Sequence, residues 1–192
     1  MNQKKWVPWM RRAIQLALLA DGMTSPNPLV GAIVLDSSGF FVGEGFHRGA
    51  GMPHAEIEAL AQAGERSTDG TIIVTLEPCC HHGLTPPCTE AVIKAGIKKV
   101  VIGMGDPDPR VAGKGIFQLK NAGLEVVDGV LRQECEWINR EYSFRVRNGR
   151  PWAILKWAMS LDGRIALPNG SSKWITNEFA RDTVHEIRSK CD

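Results

Sequence analysis

The chain has 192 residues, a formal net charge of +2, 43% apolar and 23% charged residues, and five cysteines. That is ordinary globular composition with enough length for a real core, which excludes a disordered or collagen-like chain and a scaffold dependent on disulfides. The charge is too small and too evenly spread for a polyanion partner, and no apolar run reaches the length of a membrane helix, so nucleic-acid and membrane partners are not expected. The first residues show no apolar stretch with a cleavage site, so no secretory leader is expected and the expected location is cytoplasmic.

In chain order, Pro8 opens a helical pattern over 8–21, with Met10, Ala13, Ile14, Ala17 and Leu18 expected on one face. Val30–Leu35 and Phe40–Phe46 read as two strands joined by the turn residues Asp36-Ser37-Ser38-Gly39. A short helix over 55–63 stops at Gly64, and the β-branched run Thr71–Leu76 is a strand. A helix over 87–95, a strand at Lys99–Met104, a helix at Gly113–Ala122, a strand at Leu124–Asp128 and one long helix over 130–144 follow. This alternation predicts an α/β fold with helices on both faces of a sheet. Asn148-Gly149-Arg150-Pro151 breaks the pattern, and beyond it Trp152–Met159 reads as a strand, 163–173 as a loop and 177–190 as a helix.

The chemistry concentrates in His54-Ala55-Glu56 and in Pro78-Cys79-Cys80-His81-His82-Gly83-Leu84-Thr85-Pro86-Pro87-Cys88. Imidazole and thiolate are the ligands zinc prefers, and a catalytic zinc keeps three of them with one position open for water. His54, Cys79 and Cys88 would make such a set. Cys88 is expected at a helix start, where the dipole favours a thiolate. Cys80 competes with Cys79, because adjacent residues of an extended segment point opposite ways and only one can face the metal. Side chains two apart on a helix diverge by about 200°, so Glu56 is read as a proton shuttle beside the metal rather than a ligand. This role is that of the zinc nucleobase deaminases, whose pattern is His-x-Glu followed by Pro-Cys-x-x-Cys. The present chain departs from it, because eight residues separate Cys79 from Cys88 and strict spacing would land on His82. A structural zinc with Cys80, His81 or His82 as fourth ligand, or a zinc deaminase acting on another base, stays open at this point. Asp106-Pro107-Asp108-Pro109 follows a strand end and reads equally as a ligand-site rim or a stiff turn.

Pro26-Asn27-Pro28-Leu29-Val30-Gly31, His54-Ala55-Glu56, Thr75-Leu76-Glu77-Pro78-Cys79, His81-His82-Gly83, Thr85-Pro86-Pro87-Cys88 and Asp106-Pro107 through Ala112-Gly113 together resemble the bifunctional deaminase–reductases of bacterial riboflavin biosynthesis. Leu155-Lys156, Ser160-Leu161-Asp162-Gly163-Arg164 and Trp174-Ile175-Thr176 extend the resemblance into the tail. It implies a cytidine-deaminase-like three-layer sandwich, a mixed sheet between helices, over 1–148. It implies zinc on His54, Cys79 and Cys88 with Glu56 as the catalytic proton carrier. Asn27, His47, His81 and His82 fall at positions where the family meets its substrate, a small pyrimidine ribotide. The implied reaction is hydrolytic deamination of 2,5-diamino-6-(ribosylamino)-4(3H)-pyrimidinone 5′-phosphate to 5-amino-6-(5-phosphoribosylamino)uracil and ammonia. Cys80 stands where the family usually has serine. Residues 149–192 resemble the opening of a dihydrofolate-reductase-like, NADPH-dependent reductase domain, with Ala158 and Trp174 at NADP-contact positions and Ser172 and Arg188 at substrate-contact positions. With that domain incomplete, no reductase activity is expected of these 192 residues, and NADPH belongs to a complete domain. A homo-oligomer is compatible with the sequence but not specified by it.

Overall fold

The computed structural model describes residues 3–82 and 86–191, so Gly83, Leu84 and Thr85 of the cysteine-rich motif lie outside it. The chain divides into two compact units, Met1–Pro151 and Trp152–Asp192. No helix among the described residues is long and apolar enough to cross a membrane.

The first unit is built on five strands: β1 (Gly31–Leu35), β2 (Phe41–Phe46), β3 (Thr71–Leu76), β4 (Lys99–Met104) and β5 (Glu125–Asp128). Their order across the sheet is β2-β1-β3-β4-β5, with β1 antiparallel to both β2 and β3, and β3, β4 and β5 parallel. The β1–β2 hairpin follows from its turn residues. Asp36 Oδ1 accepts the backbone N–H groups of Ser38 and Phe40, each at 2.9 Å, and Gly39 takes φ +87°. The three inner strands are nearly continuous apolar runs buried on both faces, whereas the edge strands β2 and β5 are only partly buried.

Helices α1 (Val7–Leu18) and α2 (Ala55–Ala63) cover opposite faces near β1 and β2. A Cβ on Gly31 would meet Ala13 O of α1, while a Cβ on Gly45 would meet Ala55 O of α2. Gly45 pairs with Ala32, and neighbours along a strand point to opposite faces, so the two helices lie on opposite sides. The α2 contact is unusually close because its sheet-facing stripe is Ala55, Ala59 and Ala63, set against Gly43 and Gly45. Helices α3 (Cys88–Lys94), α4 (Lys114–Asn121), α5 (Arg132–Ile138) and α6 (Arg140–Asn148) complete the unit. The result is a mixed sheet between helical layers.

Three expectations need correction. In α1 the buried residues are Met10, Ala13, Leu16 and Ala17, and Leu18 is exposed, because the helix presents the 10-13-17 stripe flanked by 16 to the sheet. The long helix expected over 130–144 is two helices, broken at Asn139. The buried Asn139 side chain accepts the Leu29 N–H at 2.8 Å and donates to the Leu29 carbonyl at 2.9 Å, tying the break to the segment before β1. In the second unit, residues 152–159 form no strand. A strand needs a ladder partner, and this unit contains no second strand among its described residues. Its one helix, α7 (Glu178–Ser189), is capped by Asn177, whose side chain accepts the Ala180 N–H at 2.9 Å.

Candidate active site

The strand directions decide where chemistry can collect. Because β1 runs antiparallel to β2 and β3, its amino end lies at the same sheet edge as the carboxyl ends of β2, β3 and β4. Asn27 precedes β1, His47 follows β2, Cys79 follows β3 and Asp106 follows β4. A pocket of about 320 Å³ opens at this edge, lined by these four residues together with His54 and Glu56.

The donor atoms of His54, Cys79 and Cys88 lie within 4.8 Å of one another. His54 Nδ1 is 3.1 Å from Cys88 Sγ and 3.6 Å from Cys79 Sγ. His54 is the extended N-cap residue of α2, Cys79 lies just past β3, and Cys88 starts α3 and is fully buried. The three groups lie within hydrogen-bonding reach of one another. The Cys88 thiol, His54 and the Cys88 backbone N–H, 3.3 Å from Cys79 Sγ, hold Cys79 far below the usual thiol range. Cys88 is pushed up by its hydrogen bond to Cys79 and by burial, and His54 is raised chiefly by its bond to Cys79. The first amide of α3 points at Cys79, so the helix start supports a thiolate at that neighbouring sulfur. A buried set of one imidazole and two thiols with converging donor atoms fits zinc, and three protein ligands leave a position open.

Glu56 is only 3% exposed, in the first turn of α2. Burial, and then the Cys79 charge, push its carboxyl up to about 7, and it meets the Cys88 thiol. Such a carboxyl exchanges a proton readily near neutral pH.

The other residues expected at the site separate. Asn27 Nδ2 lies 3.0 Å from His47 Nε2, and His47 Nδ1 lies 3.2 Å from the Pro53 carbonyl. The carbonyl can only accept, so Nδ1 carries the proton and Nε2 accepts from Asn27, consistent with a His47 pKa lowered by burial. His81 lines the pocket, and its Nδ1 is buried with no hydrogen-bond partner among the described residues. His82 is not among the lining residues; its side chain is 74% exposed beside Glu90. Cys80 Sγ turns to the Arg110 carbonyl at 3.9 Å and is not part of the donor cluster. In the second unit, Arg181 stacks over the Trp174 ring at 4.3 Å, Ala158 is half-buried, Ser172 is exposed, and Arg188 lies in the last turn of α7.

Of the two readings open for Asp106-Pro107-Asp108-Pro109, the ligand-site rim fits the structure, and the sequence left Arg110, Tyr142 and Arg145 unread. Asp106 and Asp108 do line the pocket, and so do Arg110, Tyr142 and Arg145. Tyr142 donates to Asp106 Oδ1 at 2.9 Å, while burial raises the Asp106 pKa. Arg110 grips the Asp108 carboxylate with two nitrogens and holds it below the usual carboxylate range. The available signal for the α6 residues was the spacing of Tyr142, Arg145 and Val146, three and four apart on one helix face. Glu77 belongs to the motif that leads into Cys79. It is buried, accepting Gly113 N–H at 3.0 Å and Asp106 N–H at 3.3 Å on one oxygen and Ile116 N–H at 3.1 Å on the other. One side chain thereby caps α4 and fixes the loop carrying Asp106.

A mixed five-stranded sheet carrying a buried His-Cys-Cys cluster beside a buried glutamate is the framework of a zinc-binding domain. The chain belongs to the family described as the cytidine and deoxycytidylate deaminase zinc-binding region, whose profile matches residues 3–104. A second family, the RibD C-terminal domain, matches residues 151–192. The riboflavin biosynthesis protein RibD of Synechocystis sp. is 52% identical over 182 residues, covering 95% of this chain and 49% of that protein. RibD of Escherichia coli K12 is 47% identical, with 95% and 49% covered. The structure of Acinetobacter baumannii RibD, form 1, superposes with a TM-score of 0.93 at 47% identity, covering 98% of this chain and 53% of that one. A diaminohydroxyphosphoribosylaminopyrimidine deaminase/5-amino-6-(5-phosphoribosylamino)uracil reductase from Thermotoga maritima superposes with a TM-score of 0.90 at 46% identity, covering 98% and 54%. The chain thus spans about half the length of the curated relatives it matches.

Proposed function

We propose that this chain catalyses the deamination step of riboflavin biosynthesis. Water replaces the 2-amino group of 2,5-diamino-6-(ribosylamino)-4(3H)-pyrimidinone 5′-phosphate, yielding 5-amino-6-(5-phosphoribosylamino)uracil and ammonia. The observation that carries this reading is the buried Glu56 carboxyl lining the pocket beside His54, Cys79 and Cys88. His54, Cys79 and Cys88 would hold zinc, which when bound supplies the Lewis acid that activates water. Glu56 takes a proton from the attacking water and delivers it to the departing amine, so the carboxyl is regenerated in each turnover. The neutral His47, fixed by Pro53, orients Asn27 toward the flat pyrimidine, and the unpartnered His81 Nδ1 offers a further hydrogen bond to it. His82 stays at the rim. A structural zinc is disfavoured, since among the described residues no fourth His, Cys, Asp or Glu joins the cluster.

Residues 1–148 are assigned to the deaminase domain, and residues 149–192 to the opening of an NADPH-dependent reductase domain. The match of the RibD C-terminal domain over 151–192 supports the second assignment. In that reading Ala158 and Trp174 fall at NADP-contact positions and Ser172 and Arg188 at substrate-contact positions of the complete domain. Five unpaired cysteines favour a reducing, cytoplasmic setting. The near-balanced charge argues against a nucleic-acid partner.

The test is ammonia release from the diaminopyrimidinone ribotide by the zinc-loaded chain beside Glu56→Gln. Removing the proton carrier should lower the rate by about 10²–10⁴-fold with zinc still bound one per chain. No release by the zinc-loaded chain, or equal release by the variant, would overturn the reading.

A further inference from the structure

His54, Cys79, Glu56, Asn27 and His47 line one part of the pocket; the loop after β4 and α6 contribute a further stretch of its wall. That wall is a connected polar chain. Arg110 holds Asp108, the Asp108 N–H donates to Asp106 Oδ1 at 2.9 Å, Tyr142 donates to the same oxygen, and the Arg145 guanidinium stands 5.7 Å from the Tyr142 ring centre. Arg110 and Arg145 are the pocket's two cationic side chains among its described lining residues, and they are not equivalent. The charge of Arg110 is offset by the carboxylate it grips, with Nη2 2.5 Å from Asp108 Oδ2. Arg145 instead donates from Nη2 to a neutral group, the Pro26 carbonyl, at 2.8 Å. That bond holds one edge of the guanidinium in place without neutralising it. Pro26 immediately precedes Asn27, so the same contact links the arginine to the ring-binding side of the pocket.

A planar cation fixed by a neutral acceptor in a pocket wall suits a phosphate monoester, which takes two parallel N–H bonds from a guanidinium. From this arrangement we infer that Arg145 seats the phosphate of the substrate, so that the site selects a ribotide over the corresponding riboside. Arg110 acts through Asp108 as a positioning residue for the wall. The inference rests on the deaminase reading for the identity of the ring, but the phosphate seat can be tested without turnover.

The experiment titrates the full chain with ribose 5-phosphate, and separately with ribose, following the ligand by NMR. Wild type is compared with Arg145→Gln, Arg145→Lys and Arg147→Gln, the last an exposed arginine of the same helix that does not line the pocket. Losing one charge-assisted pair should weaken ribose 5-phosphate binding about 10- to 100-fold in Arg145→Gln. Arg145→Lys should fall between wild type and Arg145→Gln, and Arg147→Gln should match wild type. Equal affinity of wild type and Arg145→Gln, or an equal loss in Arg147→Gln, would overturn the inference. In the ammonia assay, Arg145→Gln should raise KM for the ribotide and leave the rate on the riboside unchanged; an equal loss on both would assign Arg145 a merely structural role. Phosphate-dependent binding that needs Arg145, with no ammonia released by the wild type, would keep the phosphate seat and discard the deaminase reading.

Discussion

Glu77 gives the most demanding test of how the site is held. Its two oxygens accept three backbone N–H groups, from Asp106, Gly113 and Ile116, inside the protein. Helix α4 has no cap from its own N-cap residue, Gly113, so Glu77 supplies from another strand end what a local Ser or Asp would otherwise provide. Glu77→Gln keeps the shape and removes the charge and one acceptor. The amide oxygen does best facing Asp106 and Gly113, where one atom makes two bonds, which points the amide NH₂ at the Ile116 N–H. Leaving that buried donor unpaired costs about 1–3 kcal/mol, and two further bonds lose their charge assistance, for a total of about 2–4 kcal/mol. With a urea dependence of about 2 kcal/mol per molar, the unfolding midpoint should fall by about 1–2 M. Circular dichroism of the zinc-loaded wild type and variant measures this directly. A midpoint shift below about 0.3 M, less than one net hydrogen bond at that slope, would refute the claim that Glu77 carries the α4 cap.

Three other outcomes follow from named contacts. Cys80→Ser should leave bound zinc at one per chain, because the Cys80 thiol turns to the Arg110 carbonyl; loss of metal measured by atomic absorption would place Cys80 among the ligands. Gly45→Ala would set a Cβ 2.6 Å from Ala55 O and 2.7 Å from Ala59 N, forcing α2 away from β2 at a cost of about 1–3 kcal/mol or more, and because His54 and Glu56 sit at the start of α2 it should also weaken zinc retention; a wild-type melting temperature would contradict this. Arg110 holds Asp108 below its usual value, so the pair stabilises the folded chain above an unfolded pKa of about 4 and that contribution disappears as pH falls through the lowered value. The solvent on Arg110 keeps the effect small, and Asp108→Asn should flatten the acid limb of melting temperature against pH, with an unaltered limb as the refuting result.

Most of the first unit was legible because its local signals agree with its tertiary ones. The runs 71–76 and 99–104 are β-branched and uniformly apolar, and they are the central strands. Gly64 ends α2 with φ +56°, as its position in the pattern suggested. The misreadings came where a distant partner decides. Nothing local distinguishes Leu16 from Leu18 until the sheet fixes which stripe of α1 is covered. Asn139 breaks a helical run because its amide is taken up by Leu29, 110 residues away in sequence. Residues 152–159 have strand-like composition, but composition cannot supply the neighbouring strand that a ladder requires.

The candidate site divides along the same line. His54, Cys79 and Cys88 are rare residue types at telling spacing, with Glu56 marked by its place beside His54, so they stand out of a single sequence, and the fold then brings them within reach of one another. The stretch of wall formed by the loop after β4 and by α6 is made of common residues whose meaning depends on what they face. Asp106 is a turn residue until Tyr142 reaches it across 36 positions, and Arg145 is one more surface arginine until the Pro26 carbonyl fixes it beside the pocket. Spacing reports residues that must converge on one ion, whereas a ligand spread over several ångströms can be gripped from any element that passes nearby. The reacting end of the pocket is therefore readable from sequence, and the end that selects among substrates is read from the packing of α6 against the loops that carry Asn27 and Asp106.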